Sequence, residues 1–411
     1  MEMKFRYWIW FWLAPLAGAQ PVSSLVEEAL RSNREILAAQ KKVEALRQRP
    51  ARASSLPDPT LSLGWASNGG PWPGAGLGVN PTSNFGVMVS QEMPAPGKRK
   101  LRGEIADEEA QEAFHDYLAT RLRVISRVKQ AYHELHHAAV AVDFVDRYQE
   151  LLNNVLRISE ARYAVGRGAQ QDILRAQTQL AVFATQRVQF EQEREVKQIE
   201  INALLNRSQG QRIEVPADMV AGPMSAPLED LLTQARAHSP LVARDRDAVQ
   251  GSELAANLAR KDYAPDYTVS GGYFNQGGMP PMWQARVDFK LPAYFWRKQR
   301  AAVTEQEASA SQARHEYGAT LAEVEAGIRE QYSVAEAARK LVDLYEKSVI
   351  PEARLAYESA LAGYQSGRAD FVALFTSFTS VLDYELMDHE EIMRLHVALA
   401  KLEELTGVEQ K

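Results

Sequence analysis

The sequence predicts a mainly α-helical chain with a small membrane-type β part, built twice on one strand-strand-long-helical-hairpin plan. Three observations lead to this prediction. They are an internal repeat of about 200 residues, apolar residues at heptad spacing over very long stretches, and four short segments in which apolar and polar residues alternate. Helices of ordinary globular domains average only about three turns, so these stretches indicate extended coiled-coil helices.

The composition limits which classes of function remain open. The 411 residues carry a formal net charge of -6 and include no cysteine. A chain with this net negative charge lacks the excess of basic residues that is typical of a nucleic-acid-binding protein. The lack of cysteine excludes disulfides, thiol nucleophiles, Cys-type zinc sites and a lipid-modified N-terminal cysteine. We therefore expect no nucleic-acid partner, and we expect that the chain is not a lipoprotein.

Residues 1–19 are predicted to be a secretory signal peptide. Two basic residues precede an apolar run over residues 7–16, and small residues that end at Ala19 form a cleavage signal. The run is shorter than the ~20 residues of a spanning helix, so an N-terminal membrane anchor is the less favoured alternative. Cleavage there would leave an exported chain that begins at Gln20.

Both halves of the chain follow the order helix, strand, loop, strand, proline break, very long helix, glycine break, helix. "LPDPTLSLG" (56–64) matches "APDYTVSGG" (264–272), and "VSQEMPAPGKRK" (89–100) matches "FKLPAYFWRKQR" (289–300). We assign the first repeat to 20–215, the second to 216–407 and a tail to 408–411. The expected strands lie at about 60–65, 85–91, 268–274 and 282–291, and the expected helices at about 98–165, 169–207, 297–363 and 369–406.

The long segments are helical by their pattern. Two sets of apolar residues recur every seven positions and predict the a and d positions of a coiled-coil seam. They are Leu118, Ile125, Tyr132 and Ala139, and Val128, Leu135 and Val142. The stretch from Lys98 to Val165 corresponds to roughly 100 Å of helix at about 1.5 Å per residue. In the second copy, Pro351 should cause a kink or a junction between stacked helices.

The four strand candidates differ in strength, and 268–274 is the weakest. Residues 282–291 alternate throughout, with Val287 and Phe289 on the apolar side and Arg286 and Asp288 on the polar side. Such strands are typical of membrane β-barrels, and a half-buried sheet in a soluble α+β domain is the alternative. Four strands cannot close a barrel, since the smallest have about eight. A homotrimer would supply twelve strands and contact outer-membrane lipid.

The sequence resembles the outer membrane efflux protein family, the TolC-like factors. The resemblance rests on the duplicated plan, on "MPAPGKR" (93–99), and on the paired breaks "YAVGRGAQQDILRAQ" and "YQSGRADFVALF", and it covers roughly 23–406. It implies a trimeric twelve-stranded β-barrel in the outer membrane of a Gram-negative-type bacterium, continuing into a periplasmic α-helical coiled-coil tunnel. The implied partners are a periplasmic adaptor protein and an inner-membrane RND pump. No enzyme activity and no cofactor are implied.

The resemblance implies that a strand leaves the membrane at the proline break. Pro94 and Pro96 cannot continue a strand ladder, and Gly97 permits a sharp change of direction into the tunnel wall. The second copy keeps Pro292 but has Trp296 where Gly97 stands. The basic residues that follow the first break are expected to be the first charges below the lipid. They are Lys98, Arg99, Lys100 and Arg102.

The resemblance assigns the periplasmic tip and the adaptor contact to the two glycine breaks. The tip residues are Val165, Gly166 and Arg167 in the first copy and Ser366, Gly367 and Arg368 in the second. Asp172 and Tyr364 match positions that hold the tip closed, so they are the gate candidates. Some members of the family carry an acidic constriction ring, but Ala373 and Thr376 stand at those positions here. Asp370 is the candidate that would replace this ring. The alternative is a pair of ordinary helix reversals with glycine at positive φ.

We find no catalytic constellation, no phosphate-binding loop and no Cys/His zinc pattern in the sequence. "YHELHH" places His133 and His137 four apart, which is a possible metal spacing. Interhelical or solvated histidines are the favoured interpretation over a transport-relevant metal contact, and no metal site is assigned. The acidic run at 388–393 is interpreted as a solvated helix face.

The favoured function is a passive outer-membrane exit duct of a tripartite efflux system. The "PGKR" break and the short C-terminus after Gly407 resemble the heavy-metal branch of the family, which favours heavy-metal ions as the exported substrate. An exported periplasmic coiled-coil scaffold that does not span the membrane is the alternative from another class. Within the family, a drug-efflux duct and a type I secretion duct remain alternatives.

Overall fold

The computed structural model describes residues 20–216, 219–222 and 226–408. The predicted signal peptide and all but the first residue of the predicted tail lie outside these ranges. The chain forms two compact units. The first unit comprises the described residues of 1–34, 121–232 and 327–411, and the second unit comprises 35–120 and 233–326. Each unit draws on both halves of the sequence, so the repeat boundary at 215/216 stays a prediction.

The described residues are mostly helical, and they include one small sheet. The helices are α1 (Val22–Ser32), α2 (Arg34–Leu46), α3 (Arg49–Ser54), α4 (Lys98–Ala164), α5 (Gln170–Leu204), α6 (Leu228–His238), α7 (Pro240–Lys261), α8 (Lys298–Leu344), α9 (Ile350–Gln365) and α10 (Phe371–Thr406). The strands are β1 (Thr60–Ala66), β2 (Asn84–Met93), β3 (Asp266–Gln276) and β4 (Met279–Lys290). The predicted mainly α class with a small β part is confirmed. Within these ranges, no helix combines the length and the apolarity needed to cross a membrane.

The four strands lie in the second unit and form one antiparallel sheet in the order β1-β2-β3-β4. The segment with the weakest alternation, β3, pairs along both edges and is longer than predicted. Its pattern is weak because Gly271 and Gly272 interrupt the apolar residues. Strands β1 and β4 form the two outer edges of the sheet.

Helix α4 has 67 residues, and its buried seam in the first unit differs in part from the prediction. The predicted set Val128, Leu135 and Val142 is buried. Of the other predicted set, Tyr132 is buried, whereas Leu118, Ile125 and Ala139 are only half-buried. A fully buried set lies one residue earlier along the helix. Its buried members are Val124, Ala131, Ala138, Val145 and Leu152. The alternating spacing of three and four residues is that of a heptad seam.

The interruption expected at Pro351 takes the form of a π-helical turn. Helix α8 ends at Leu344, the π-turn spans Tyr345–Val349, and Pro351 occupies the first turn of α9. A proline within a helix lacks the N–H donor and clashes with the carbonyl of the residue four positions before it. The wider turn accommodates this clash and keeps the chain helical on both sides.

The first unit packs around aromatic side chains from α4, α5 and α10. Phe183 and Phe378 are fully buried, with ring centroids 6.3 Å apart, and Tyr148 lies 5.4 Å from Phe378. Fully burying such a side chain contributes roughly 1.5–3 kcal/mol, so this cluster is a main stabilising element of the unit.

Candidate functional site

The second unit presents a sheet face that is apolar from one edge to the other. Directly paired residues of antiparallel strands share a face, and the register places Leu63, Val87, Tyr273 and Trp283 in one row. These side chains are exposed in the single chain, from 36% for Tyr273 to 77% for Trp283. Flanking rows add Leu61 with Val89, Trp65 with Phe85, Val269 with Val287, and Tyr267 with Phe289. A continuous apolar face of this kind indicates an interacting lipid or protein surface.

The opposite face of the sheet is mainly polar. The Ser270 hydroxyl donates to Ser90 Oγ at 3.0 Å across β2 and β3. Arg286 Nε lies 2.9 Å from Asp288 Oδ2 along β4. The alternation seen in the sequence of β4 therefore extends across the whole sheet.

One aromatic side chain, Phe274, covers two glycines on the polar face. A Cβ atom at Gly86 would lie 2.3 Å from the Phe274 ring, and one at Gly272 would lie 2.8 Å from it. Real Cβ atoms do not approach so closely, so both positions require glycine if the ring is to lie flat over the strands. The same glycines weaken the strand signal of β3 in the sequence.

The first strand-to-helix break is held by a buried lysine. Gly97 has φ 92°, which is the left-handed conformation expected of it, and α4 begins at the next residue. The Lys98 ammonium lies 2.9 Å from Asp266 Oδ1 and 3.0 Å from Asp262 Oδ1. Lys98 is 2% exposed, so the residue expected as the first charge below the lipid is a buried ion-pair partner. Burial lowers the pKa of Lys98, but the hydrogen bonds and charges of Asp266 and Asp262 outweigh it and raise the pKa above its usual value.

The second strand-to-helix break turns without a left-handed residue. Among the described residues, the only non-glycine with positive φ is Asn206, so Trp296 does not adopt the conformation of Gly97. Instead the Ala293 N–H donates to the Leu291 carbonyl at 2.9 Å, which forms a tight turn before α8. Three exposed aromatic residues follow, namely Tyr294 (71%), Phe295 (49%) and Trp296 (60%). Tyrosine and tryptophan are enriched where a membrane meets water.

In the first unit, the two glycine breaks have the same backbone geometry. Gly166 and Gly367 both have φ 73°. In each break the glycine N–H donates to the carbonyl three residues earlier, at 2.9 and 3.1 Å, and the following arginine N–H donates to the carbonyl five residues earlier, at 2.8 Å. This pair of bonds is a Schellman motif, which satisfies the last carbonyls of a helix. The predicted tip residues therefore lie at two helix reversals.

Tyr364, one of the predicted gate residues, is 2% exposed and packs against α4. Its hydroxyl lies 3.1 Å from Ser159 Oγ. The Arg162 guanidinium lies 4.4 Å from the centre of the Tyr364 ring and donates to the Tyr364 carbonyl oxygen. The sequence reasoning missed Ser159 and Arg162. The only signal was a basic residue in the last turn of α4, which is common at helix ends and therefore unspecific.

The two predicted acidic gate residues occupy different local positions. Asp370 is the N-cap of α10, and its carboxylate accepts a hydrogen bond from the Ala373 N–H at 2.8 Å. Asp172 lies half-buried in the first turn of α5, and none of the side-chain hydrogen bonds within the described chain joins it to Tyr364. The gate roles of both residues therefore stay predictions.

The histidines of "YHELHH" are interhelical. The rings of His133 and His396 stack with centroids 4.2 Å apart, and His133 Nδ1 lies 3.0 Å from Met219 Sδ. Burial lowers the pKa of His133 to about 3, with smaller contributions from the neighbouring His396, His136 and Lys129. His133 is consequently neutral at physiological pH. In the described part of the chain, no three metal-ligating side chains come together in a metal-binding arrangement.

The acidic run at 388–393 is not the solvated helix face that the sequence suggested. Asp388 and Glu391 are 8% and 9% exposed, because α10 turns them towards neighbouring helices. Burial raises the pKa of Asp388 to about 6, helped by the nearby carboxylates of Glu346 and Glu385. One turn earlier, Glu385 accepts a hydrogen bond from the Tyr148 hydroxyl at 3.0 Å and pairs with Arg354 at 2.5 Å. This part of the helix carries a buried polar network.

Comparison with known proteins shows a similarity to one family in the first half of the chain. The family model described as "Outer membrane efflux protein" matches residues 25–207. This match covers less than half of the chain, so residues 25–207 are similar to the outer membrane efflux protein family. A comparison of the sequence with curated proteins gave no significant match.

Solved outer-membrane proteins share the fold of this chain. VceC from Vibrio cholerae is 17% identical, with a TM-score of 0.80 over 95% of this chain and 97% of that one. MtrE from Neisseria gonorrhoeae, solved in its open state, is 17% identical, with a TM-score of 0.79 over 95% of this chain and 89% of that one. CmeC from Campylobacter jejuni is 16% identical, with a TM-score of 0.78 over 100% of this chain and 95% of that one. At these identities the likeness is one of fold.

The partial family match and the shared fold agree with the outer-membrane efflux channel expected from the sequence. The exposed apolar face of the sheet is the surface suited to lipid, and the predicted tip residues lie in the helical first unit.

Proposed function

We propose that three copies of this chain form a passive exit duct of an efflux system through the outer membrane. The observation that carries the proposal is the sheet of the second unit, which is apolar on one exposed face, mainly polar on the other, and open at both outer strands. A soluble protein rarely leaves so extended an apolar face uncovered. Lipid would cover the apolar face, and a water-filled lumen would suit the polar one.

The open edges of the sheet argue for the trimer. Within lipid every backbone N–H and C=O must find a partner, so a membrane sheet has to close on itself. In the described sheet of four strands, the outer edges of β1 and β4 have no pairing strand. The smallest closed barrels have about eight strands, so one chain cannot close a barrel. Three chains supply twelve strands, an even number of suitable size.

We further propose that a periplasmic adaptor contacts the two helix reversals and that an RND pump in the inner membrane supplies the substrate. Val165 at the first reversal is 68% exposed, and the tip residues Arg167 and Arg368 are exposed as well. Bulky substitutions at Gly166 or Gly367 should then leave the trimer in place while abolishing adaptor cross-linking and efflux. Loss of the trimer itself, or unimpaired cross-linking, would contradict this assignment of the tip.

The proposed trimer is tested by membrane fractionation together with gel migration with and without heating. The duct predicts heat-modifiable trimers in the outer-membrane fraction and discrete conductance steps in planar bilayers. A monomer released with the soluble periplasm, with the outer membrane empty, would instead support the exported scaffold.

Matched substitutions on β4 test which face meets lipid. Val287→Arg or Phe289→Arg should reduce the amount of assembled trimer, because a cation at mid-bilayer costs roughly 2–4 kcal/mol. Arg286→Gln and Asp288→Asn on the other face should leave assembly intact and change only conductance. Equal tolerance of both sets would show that the faces are assigned the wrong way round, or that the sheet meets no lipid.

For the substrate, we propose heavy-metal ions, on the resemblance of the "PGKR" break to the heavy-metal branch of the outer membrane efflux protein family. A host that lacks this chain should become more sensitive to transition-metal ions and regain resistance when the gene is restored. A change in drug sensitivity alone, or a secretion defect alone, would move the assignment to another branch and leave the duct itself standing.

A further inference from the structure

The first strand-to-helix break is tied to β3 by a specific contact within the chain. Asp266 Oδ1 accepts hydrogen bonds from the Ala95 N–H at 2.8 Å and from the Lys98 ammonium at 2.9 Å. The lysine is the first residue of α4, and the aspartate is the first residue of β3. The contact therefore joins the end of one strand pair to the beginning of the next.

The internal repeat supplies a second copy of both partners. Lys298 is the first residue of α8, as Lys98 is of α4. The matched segments 89–100 and 289–300 align the two lysines when no gap is allowed, which puts Arg297 rather than Trp296 opposite Gly97. The "PD" of "LPDPTLSLG" aligns Asp58 with Asp266. Lys298 lies beyond outer strand β4 and Asp58 lies just before outer strand β1, at opposite edges of the sheet.

The second pair of partners does not meet within one chain. Lys298 and Asp58 are both exposed, and the side-chain hydrogen bonds and ion pairs of the described residues include neither. Lys298 lines the same hollow as Asp262 and Asp266, but Lys98 already pairs with both of those carboxylates. An aspartate at one free edge and a lysine at the other are complementary in charge. They are therefore suited to pair between two neighbouring copies of the same chain.

We propose that Lys298 of one protomer pairs with Asp58 of the partner subunit and thereby sets the register between β4 and β1 around the ring. The contact rests on the proposed trimer and repeats, between subunits, the Lys98–Asp266 contact seen within one chain. Six such lysine–aspartate links, three within chains and three between them, would then lie where the strands pass into the helices.

The contact predicts which residues face each other across the subunit boundary. Within the chain, Ser90 of β2 faces Ser270 of β3. The repeat matches Ser90 with Lys290 and Ser270 with Ser62, so Lys290 should face Ser62 of the partner subunit. Phe289 then faces Leu63 and Val287 faces Trp65, so apolar residues meet apolar residues.

A register shifted by two residues is the main competitor. The β1-β2 and β3-β4 hairpins already differ in register by two residues. Ser90 faces Thr60, and the repeat matches these two residues with Lys290 and Thr268, but Lys290 faces Asp266 instead. A two-residue slide keeps every side chain on its own face, because side chains in a strand alternate with period two. It would place Lys290 opposite Gly64 of the partner subunit and move Lys298 away from Asp58.

Charge exchange tests the pair in the full-length protein. Asp58→Lys and Lys298→Asp should each reduce SDS-resistant trimer about tenfold, because each leaves two like charges at the boundary. The double exchange should restore it. Glu307→Lys is the matched control, since Glu307 pairs with Arg260 on exposed helix surface away from the strand edges, and it should leave the trimer unchanged. Two silent single variants, or a double variant worse than either single one, would overturn the pair.

Cysteine cross-linking tests the register independently, because the natural chain has no cysteine to interfere. Lys290→Cys combined with Ser62→Cys should form disulfide-linked dimers and trimers under mild oxidation, and Lys290→Cys combined with Gly64→Cys should not. The reverse result would establish the shifted register and overturn the proposed contact while leaving the trimer intact. A wild-type chain that is monomeric in the membrane would instead overturn the proposed function, and the contact with it.

Discussion

The two helix reversals of the first unit share one backbone but differ in their surroundings. Gly166 and Gly367 have the same φ and the same pair of closing hydrogen bonds. Three residues before each glycine stands a tyrosine, and Tyr163 is 48% exposed whereas Tyr364 is 2% exposed. The reversal after α9 is therefore packed into the unit, and the reversal after α4 is largely open.

The helices that follow the two reversals also begin differently. Asp370 caps α10 with a side-chain hydrogen bond, whereas the equivalent Ala169 provides none to α5. Four residues after the cap, Leu374 on α10 is fully buried while its counterpart Ile173 on α5 is half-buried. A backbone motif thus fixes the direction of the turn, and the side chains decide whether the turn is anchored. If the two reversals form the predicted tip, the second is its anchored side and the first its exposed side.

The largest expected difference comes from the two tyrosines. Tyr364→Ala should lower the free energy of unfolding by about 3–5 kcal/mol, because it empties a buried aromatic site. Tyr163→Ala should change it by no more than about 0.5 kcal/mol, as expected for an exposed position. Thermal melting of the helical circular dichroism signal in detergent measures both. Similar losses in the two variants would show that the reversals are equally anchored.

The glycines should behave alike in spite of that difference. Gly166→Ala and Gly367→Ala should each cost about 1–2 kcal/mol, because a side chain is unfavourable in the left-handed conformation. Neither site adds a severe clash, since an added Cβ would meet nothing within 4 Å at Gly166 and only Arg162 Nη2 at 3.9 Å at Gly367. Costs in the same melting assay that differ by more than about 1 kcal/mol would contradict the equivalence of the two backbones.

Substitutions at the two N-cap positions should exchange the capping difference between the reversals. Asp370→Ala should destabilise α10 by about 1 kcal/mol through loss of its N-cap. Ala169→Asp should stabilise α5 by a similar amount, because both cap residues have extended backbones, with φ -93° and ψ 142° at Ala169 and φ -85° and ψ 166° at Asp370. Amide hydrogen exchange in the first turn of each helix reports the effect. Unaltered exchange in Ala169→Asp would show that α5 cannot use a cap.

The smallest effect concerns the predicted gate. Tyr364→Phe removes the hydrogen bond to Ser159 and should cost about 0.5–1.5 kcal/mol. If this bond helps to hold the tip closed, single-channel conductance should rise without loss of trimer, and Ser159→Ala should have the same effect. Adding Asp172→Ala to Tyr364→Phe should raise conductance further if Asp172 takes part in closure. Unchanged conductance in the double variant would remove both residues from the gate.

Much of this molecule could be predicted because its patterns are local. Strand alternation in 282–291, glycine at the two reversals and proline at the break each reflect conformational limits of a few neighbouring residues. The coiled-coil seam was predicted less well. In one of its two residue sets only Tyr132 is buried, and the fully buried residues lie one position earlier. Heptad spacing defines a stripe on a helix, but only the packing partner selects the centre of that stripe.

The remaining features depend on residues far apart in the chain. Ser159 and Tyr364 meet over a separation of 205 residues, and Lys98 and Asp266 over 168. The sequence shows that Lys98 is charged, but only the folded chain shows that two carboxylates surround it. The acidic run at 388–393 was misread for the same reason, since residue type does not reveal whether a helix face meets water or another helix. Periodicity determines which face of an element is apolar, whereas the tertiary structure alone decides what that face and its charges contact.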